Sequence, residues 1–219
     1  MELFSLLLIY LRVMTMAKLI AGVGFFDRNG PYRSRVNGKT TKAYDTWSNM
    51  IRRCYQESII KNNESYRGCK VCDEWHEFTN FADWYYRNTP DDGNKYHLDK
   101  DILSGSGKVY SPETCLMVTR DVNNFFLDSA KTRGRYMIGV HFDKQTGRFR
   151  AACRGASIGD RSMLGRFESE LNAHMAWRAV KSRCAYALAM SQDRAEVKNA
   201  ILEWKRELDE NEIYKIATN

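Results

Sequence analysis

Between residues 96 and 124 the sequence gathers the side chains that metal-assisted hydrolysis of a phosphodiester uses. That chemistry takes a divalent ion for the leaving oxygen, ligands to hold it, and a base to activate water. Tyr96-His97-Leu98-Asp99-Lys100-Asp101-Ile102 supplies an imidazole and two carboxylates, and Asp121-Val122-Asn123-Asn124 adds amide oxygens. Such hard oxygen donors suit Mg²⁺ or Mn²⁺. If His97 to Ile102 is a strand, alternation places His97, Asp99 and Asp101 on one face. The plainer alternative is a solvated strand end. Sulfur offers a second ligand set: Cys69-x-x-Cys72 has zinc-knuckle spacing, and Cys54 and Cys115 would complete a tetrahedron. Cys54 also lies on an apolar helical stripe, where free cysteine packs as a small hydrophobe. Core thiols are therefore favoured over a structural zinc. Cys153 and Cys184 fall on apolar positions and read as structural.

A different chemistry is written further along. From Arg133 to Phe167 eight basic residues face only Asp143 and Asp160, so this stretch carries +6 of the chain's formal +7. Within Arg148 to Arg154, alternation separates Arg148, Arg150 and Arg154 from Phe149, Ala151 and Cys153. One face is cationic and the other is fit for a helix to cover. Arg161 and Arg166 on the next segment add to the cationic side. Such a face can enter a major groove, contacting phosphates or guanine edges; an ordinary solvated face would mix signs.

The elements that must position these residues follow from periodicity. Tyr44, Trp47, Ile51 and Cys54 recur at helical spacing, as do Phe78, Phe81 and Trp84. His97 to Ile102 and Cys115 to Thr119 read as strands joined through Ser104-Gly105-Ser106-Gly107, and Asp121 to Leu127 opens a helix. Tyr136 to Phe142, Arg148 to Arg154 and Arg161 to Phe167 read as three further strands. A long helix follows, capped by Ser169, with Ala173, Trp177, Val180, Cys184 and Leu188 as its apolar stripe. A last helix spans about Arg194 to Ile216.

Composition bounds the answer. The chain has 219 residues, 43% apolar and 12% aromatic, enough for real cores, which excludes general disorder. Its pI of about 9.1 favours a polyanionic partner. Six cysteines in no dense framework exclude a secreted disulfide scaffold. There is no tandem repeat. Leu3 to Leu11 is apolar apart from Ser5, too short for the roughly 20 residues of a membrane span. Glu2 before it and Arg12 after it do not make a signal peptide. Residues 1–16 are expected to lie upstream of a natural start at Met14 or Met16, with a peripheral membrane anchor as the less favoured alternative.

Several blocks resemble the HNH-type endonucleases of bacteriophages, many of them homing endonucleases. These are Trp47-x-x-Met50-x-x-Arg53-Cys54-Tyr55, Cys69-x-Val71-Cys72-x-Glu74-Trp75, Leu98-Asp99-Lys100-Asp101 and Tyr110-Ser111-Pro112-Glu113-Thr114-Cys115. The resemblance implies a ββα-metal finger in which Asp99 is a metal ligand, with Asn124, or Asn123 beside it, completing the site. Lys100 stands where that family carries its histidine base, and Thr114 where it carries a central asparagine. The catalytic set is then His97 as a substitute base, with Lys100 and Asp101. Ile138-Gly139-Val140, Gly147-Arg148-Phe149-Arg150-Ala151, Leu164-Gly165-Arg166-Phe167 and the helix with Ala173, Ala176 and Lys181 resemble the plant APETALA2/ethylene-response-factor DNA-binding domain. That likeness implies a three-stranded antiparallel sheet packed on a helix, binding the major groove through Arg148, Arg150, Arg154, Arg161 and Arg166.

The expected fold class is α+β: an HNH-like ββα-metal module, then a three-stranded antiparallel sheet on a long helix. The expected domains are 17–130, 134–191 and a C-terminal helix at 192–219, with the boundary near Asp128 to Arg135. The leading function is a metal-dependent DNA endonuclease with Mg²⁺ or Mn²⁺, double-stranded DNA as partner, no membrane and no small-molecule cofactor, in the cytoplasm of a host cell. The rival is a DNA-binding protein with a degenerate nuclease half, acting as a regulator or counter-defence factor. A third class is a protein-interaction adaptor using the terminal helices.

Overall fold

A computed structural model describes residues 19–105, 107–127, 134–154 and 161–210, without the side chains of Arg154, Arg161 and Ser162. The apolar leader and the expected linker at 128–133 lie outside the described residues. The protein is mixed α+β, in two compact units, Met1–Met117 and Val118–Asn219. Among the described residues no helix is long and apolar enough to cross a membrane.

The first unit opens with a hairpin, β1 (Arg35–Val36) and β2 (Lys39–Thr40). It runs into α1 (Lys42–Tyr55), where Thr41 caps the helix by accepting from the Tyr44 amide. Of the expected stripe, Trp47, Ile51 and Cys54 are buried and Tyr44 is half-buried; with Met50 they pack against Phe78, Phe81, Ala82 and Tyr85 of α3 (Phe78–Asn88). Each large side chain so buried contributes about 1.5–3 kcal/mol. Trp47 also donates through Nε1 to the Trp75 carbonyl at 2.7 Å, which satisfies its one polar atom in the core. Between these helices lie α2 (Glu57–Asn62) and β3 (Lys70–Val71). After α3 come β4 (Tyr96–Asp99), α4 (Asp101–Ser104), β5 (Val109–Tyr110) and β6 (Leu116–Thr119). β4 pairs with β6, and β5 pairs in parallel with β3.

Two expectations are corrected here. The strand thought to run from His97 to Ile102 ends at Asp99, because the Asp99 carboxylate accepts the amides of Asp101 and Ile102 and turns the chain into α4. Asp101 is therefore helical, and strand alternation does not place it beside His97. The chain between β4 and β6 is also more than a turn, since it contains α4 and a strand that pairs elsewhere.

The second unit starts at Val118, within β6, and runs into α5 (Arg120–Phe125), capped by Thr119. β7 (Val140–Asp143), β8 (Arg148–Arg154) and β9 (Arg161–Phe167) form an antiparallel sheet in the order β7-β8-β9. The long helix α6 (Glu170–Met190) follows, with Ser169 accepting from the Asn172 amide, and then α7 (Ala195–Glu210). Ala173 and Trp177 of α6 share buried clusters with Val140, Ala151 and Cys153 of the sheet. The other side of α6 meets α7, where Arg178 donates through Nε to the Leu208 carbonyl at 2.5 Å and through its terminal nitrogen to that of Asp209. A buried guanidinium thus satisfies the orphan carbonyls of a neighbouring helix end. α5 belongs to this assembly: Phe125 and Phe126 sit edge-on to Trp204, and Lys181 donates to the Phe125 carbonyl at 2.6 Å.

The first strand of the sheet is shorter than expected. Residues 136–139 are held by α6 instead, with the Met137 amide donating to Glu170 and His174 Nδ1 donating to the Ile138 carbonyl at 2.9 Å. Gly139 then turns the chain at φ +80°, and a Cβ there would lie 2.1 Å from the Trp177 indole, so only glycine fits. α7 ends at Glu210; the expected continuation to Ile216 lies outside the described residues.

Candidate functional site

On β4, His97 is exposed and Asp99 is half-buried. Oδ1 of Asp99 accepts the Asp101 amide at 2.8 Å and the Ile102 amide at 2.9 Å. Burial raises its carboxyl above the ordinary aspartate range, against the lowering effect of those two amides. Lys100 is buried, only 7% exposed. Its Nζ donates to the Asp101 carboxylate and, at 2.9 Å, to the Gly107 carbonyl. An ammonium so engaged braces the turn from α4 back toward β5 and has no lone pair to offer a substrate. Thr114 also holds a loop: Oγ1 donates to the Val109 carbonyl at 2.8 Å and accepts the Ser111 amide at 3.0 Å.

The structure brings His97, Asp99, Lys100 and Asp101 together around the β4–α4 turn of the first unit. Asn123 and Asn124 are half-buried on α5, in the second unit. Within the turn itself, one oxygen of Asp99 is engaged by amides and Asp101 by Lys100. Those residues alone do not fit the divalent ion that the HNH resemblance implies.

Cys54, Cys69 and Cys115 are buried in the core of the first unit, and Cys72 is half-buried. Burial pushes the Cys54 and Cys115 thiols up to about 12 and that of Cys72 to about 11, so they stay protonated. Cys69 donates through Sγ to the Ser65 carbonyl. Among the described residues no group of three or more His, Cys, Asp or Glu is placed to hold a metal.

The cationic face is more coherent. Arg150 pairs across the sheet with His141 on one side and Arg166 on the other, so the three side chains form one row. Arg148 pairs with Asp143 in the next row. The opposite face carries Val140, Phe149, Ala151 and Phe167 toward α6. Arg148 lies 3.6 Å from Glu168, and Arg166 lies 3.5 Å from Asp143. Among the described residues Arg150 pairs with no carboxylate; its terminal nitrogen rests 3.3 Å from the sulfur of Met163, itself 52% exposed. Past Ala151 a bulge shifts the register, and Ala152 faces Met163. The backbone of Arg154 and Arg161 pairs at the strand ends, and their side chains lie outside the description. His141 and Met163 were missed by the sequence reading. Pairing register was the signal needed for His141, and the bulge concealed the position of Met163.

Comparisons with protein-family models, with curated proteins and with solved structures find no match to this chain.

Proposed function

We propose that this chain binds duplex DNA through the outer face of β7, β8 and β9. The observation that carries this reading is the cross-strand row His141–Arg150–Arg166, on the side of the sheet that α6 does not cover. Arg150, unpaired with any carboxylate among the described residues, is the row's centre. The Arg148–Glu168 pair beside it is exposed, and such pairs are worth about 0–1 kcal/mol. A phosphate can displace Glu168 from Arg148 at little cost, whereas Asp143, 12% exposed and accepting the Gln145 amide, stays beside Arg166. The likeness of residues 138–181 to the APETALA2 pattern supports the same reading. The test is a salt titration of duplex binding by fluorescence anisotropy with R148Q/R150Q/R166Q. The folded variant is expected to bind more weakly with a salt slope flatter by about 2–3, since each lost phosphate contact removes about 0.9 from it. Unchanged affinity and slope would reject the face.

A second reading is metal-dependent DNA cleavage by the HNH-like half. It is favoured by His97, which is exposed on β4 two positions before Asp99, on the same side of the strand. The resemblance assigns the ion to Asp99 with Asn123 and Asn124. Plasmid nicking in Mg²⁺ or Mn²⁺ that both H97A and D99A abolish would establish it. A supercoiled plasmid left intact by wild type leaves DNA binding without cutting, in a regulatory or counter-defence role.

A further inference from the structure

A second cation-rich surface lies in the first unit. From Arg28 to Lys42 the sequence holds Arg28, Arg33, Arg35, Lys39 and Lys42 and no acidic residue. All five side chains are exposed. None forms an ion pair among the described residues. The centre of this stretch is the β1–β2 hairpin, with Arg35 opposite Thr40 and Val36 opposite Lys39. Its turn, Asn37-Gly38, has φ of 50° and 74°, the left-handed pair that matches the twist of a two-residue hairpin.

The base of the hairpin is fixed and its tip is open. Thr41 donates through its amide to the Ser34 carbonyl at 2.9 Å and through Oγ1 to that of Arg33 at 3.1 Å. Tyr32 stacks on Tyr86 and hydrogen-bonds Asp83. At the tip Val36 is 55% exposed, and a Cβ placed on Gly38 would meet nothing within 4 Å. Arg35 and Lys39 stand on the ribbon itself, on opposite faces since Arg35 pairs with Thr40 and Lys39 with Val36, and Arg28, Arg33 and Lys42 flank it. Like charges this close repel one another unless a polyanion neutralises them. A two-stranded ribbon also has the cross-section that a major groove of about 12 Å admits.

We propose that this hairpin is a second DNA contact, a ribbon that holds backbone phosphates through Arg33, Arg35 and Lys39 and adds affinity without reading sequence. The proposal rests on the DNA-binding reading above, and one experiment separates the two. Full-length wild type, R33Q/R35Q/K39Q, the charge-conserving R33K/R35K and R148Q/R150Q/R166Q are titrated with a labelled duplex of random sequence. The salt range is about 0.05 to about 0.3 M KCl, and circular dichroism confirms each fold. The hairpin variant is expected to bind on the order of 10- to 100-fold more weakly, with a slope flatter by about 2–3, while R33K/R35K stays near wild type. A folded hairpin variant with wild-type affinity and slope overturns the proposal, even where the sheet variant is weakened. A weakened hairpin variant beside an unaffected sheet variant sustains it and removes the sheet from the interface. Absence of duplex binding by wild type overturns both.

Discussion

Lys100, which the resemblance to the HNH-type endonucleases would set in the place of their base, has surroundings that give it a mechanical role. Lys100→Ala leaves the Gly107 carbonyl without its donor and is expected to destabilise the protein by about 1–3 kcal/mol, read from urea unfolding followed by tryptophan emission. The half-exposed Asp101 can return to water, which keeps the cost below that of a fully buried pair. Asp99 makes the opposite kind of statement. Its carboxyl is raised by burial, so the folded state binds that proton more tightly than the unfolded one. Its contribution to stability therefore falls as pH rises from the ordinary aspartate value through the raised one. Asp99→Asn keeps an oxygen for the two amides and removes the titration. The advantage of D99N over wild type in urea midpoint should grow between about pH 3.5 and about pH 7; a constant or shrinking difference would contradict this. The sequence announced these residues as chemistry-bearing but not the turn they build. An aspartate before a short helical segment is a turn signal, and weighing it would have ended the strand at Asp99. The burial of Lys100 left no such trace, because it depends on Gly107 returning to meet it.

At the scale of elements, the long helices α1 and α6 were legible because their signals are local, whereas the short α2 and α4 were not. Thr41 and Ser169 are capping residues ahead of clear apolar stripes, and α1 and α6 begin where those signals fall. The short β7 was not legible. Residues 136–139 read as strand by composition, but the acceptors and donors that claim them, Glu170 and His174, lie far along the chain on α6. Gly139 tests that arrangement. Gly139→Ala combines a left-handed backbone with a clash against the Trp177 indole, costs of about 1–3 kcal/mol each. A loss of about 2–5 kcal/mol in urea unfolding is expected, with no loss at the equally left-handed but open Gly147 beyond the backbone cost. The cationic row on the sheet was half legible: alternation along β8 gave Arg148 and Arg150 their side, while His141 and Met163 needed the pairing.

At the scale of the whole molecule, two basic surfaces stand on two units, and charge counting by stretch found only the one on the sheet. Acidic residues elsewhere in the first half hid the other, since Asp and Glu outside Arg28–Lys42 bring that half's balance near zero. Arg178 shows how tertiary contacts complete an element. Replacing it with Ala removes both its bonds to the end of α7 and should cost about 2–4 kcal/mol, with faster hydrogen exchange confined to that helix as the distinguishing measurement. The buried thiols carry a consequence of another kind. Cys54 and Cys115 in the first unit and Cys153 in the second are all buried and held protonated. An alkylating reagent needs the thiolate and a path to it, so it modifies each only when the surrounding unit opens. Mass spectrometry of peptides after timed alkylation would therefore read two clocks from one native chain, one for each half, without any label having been introduced.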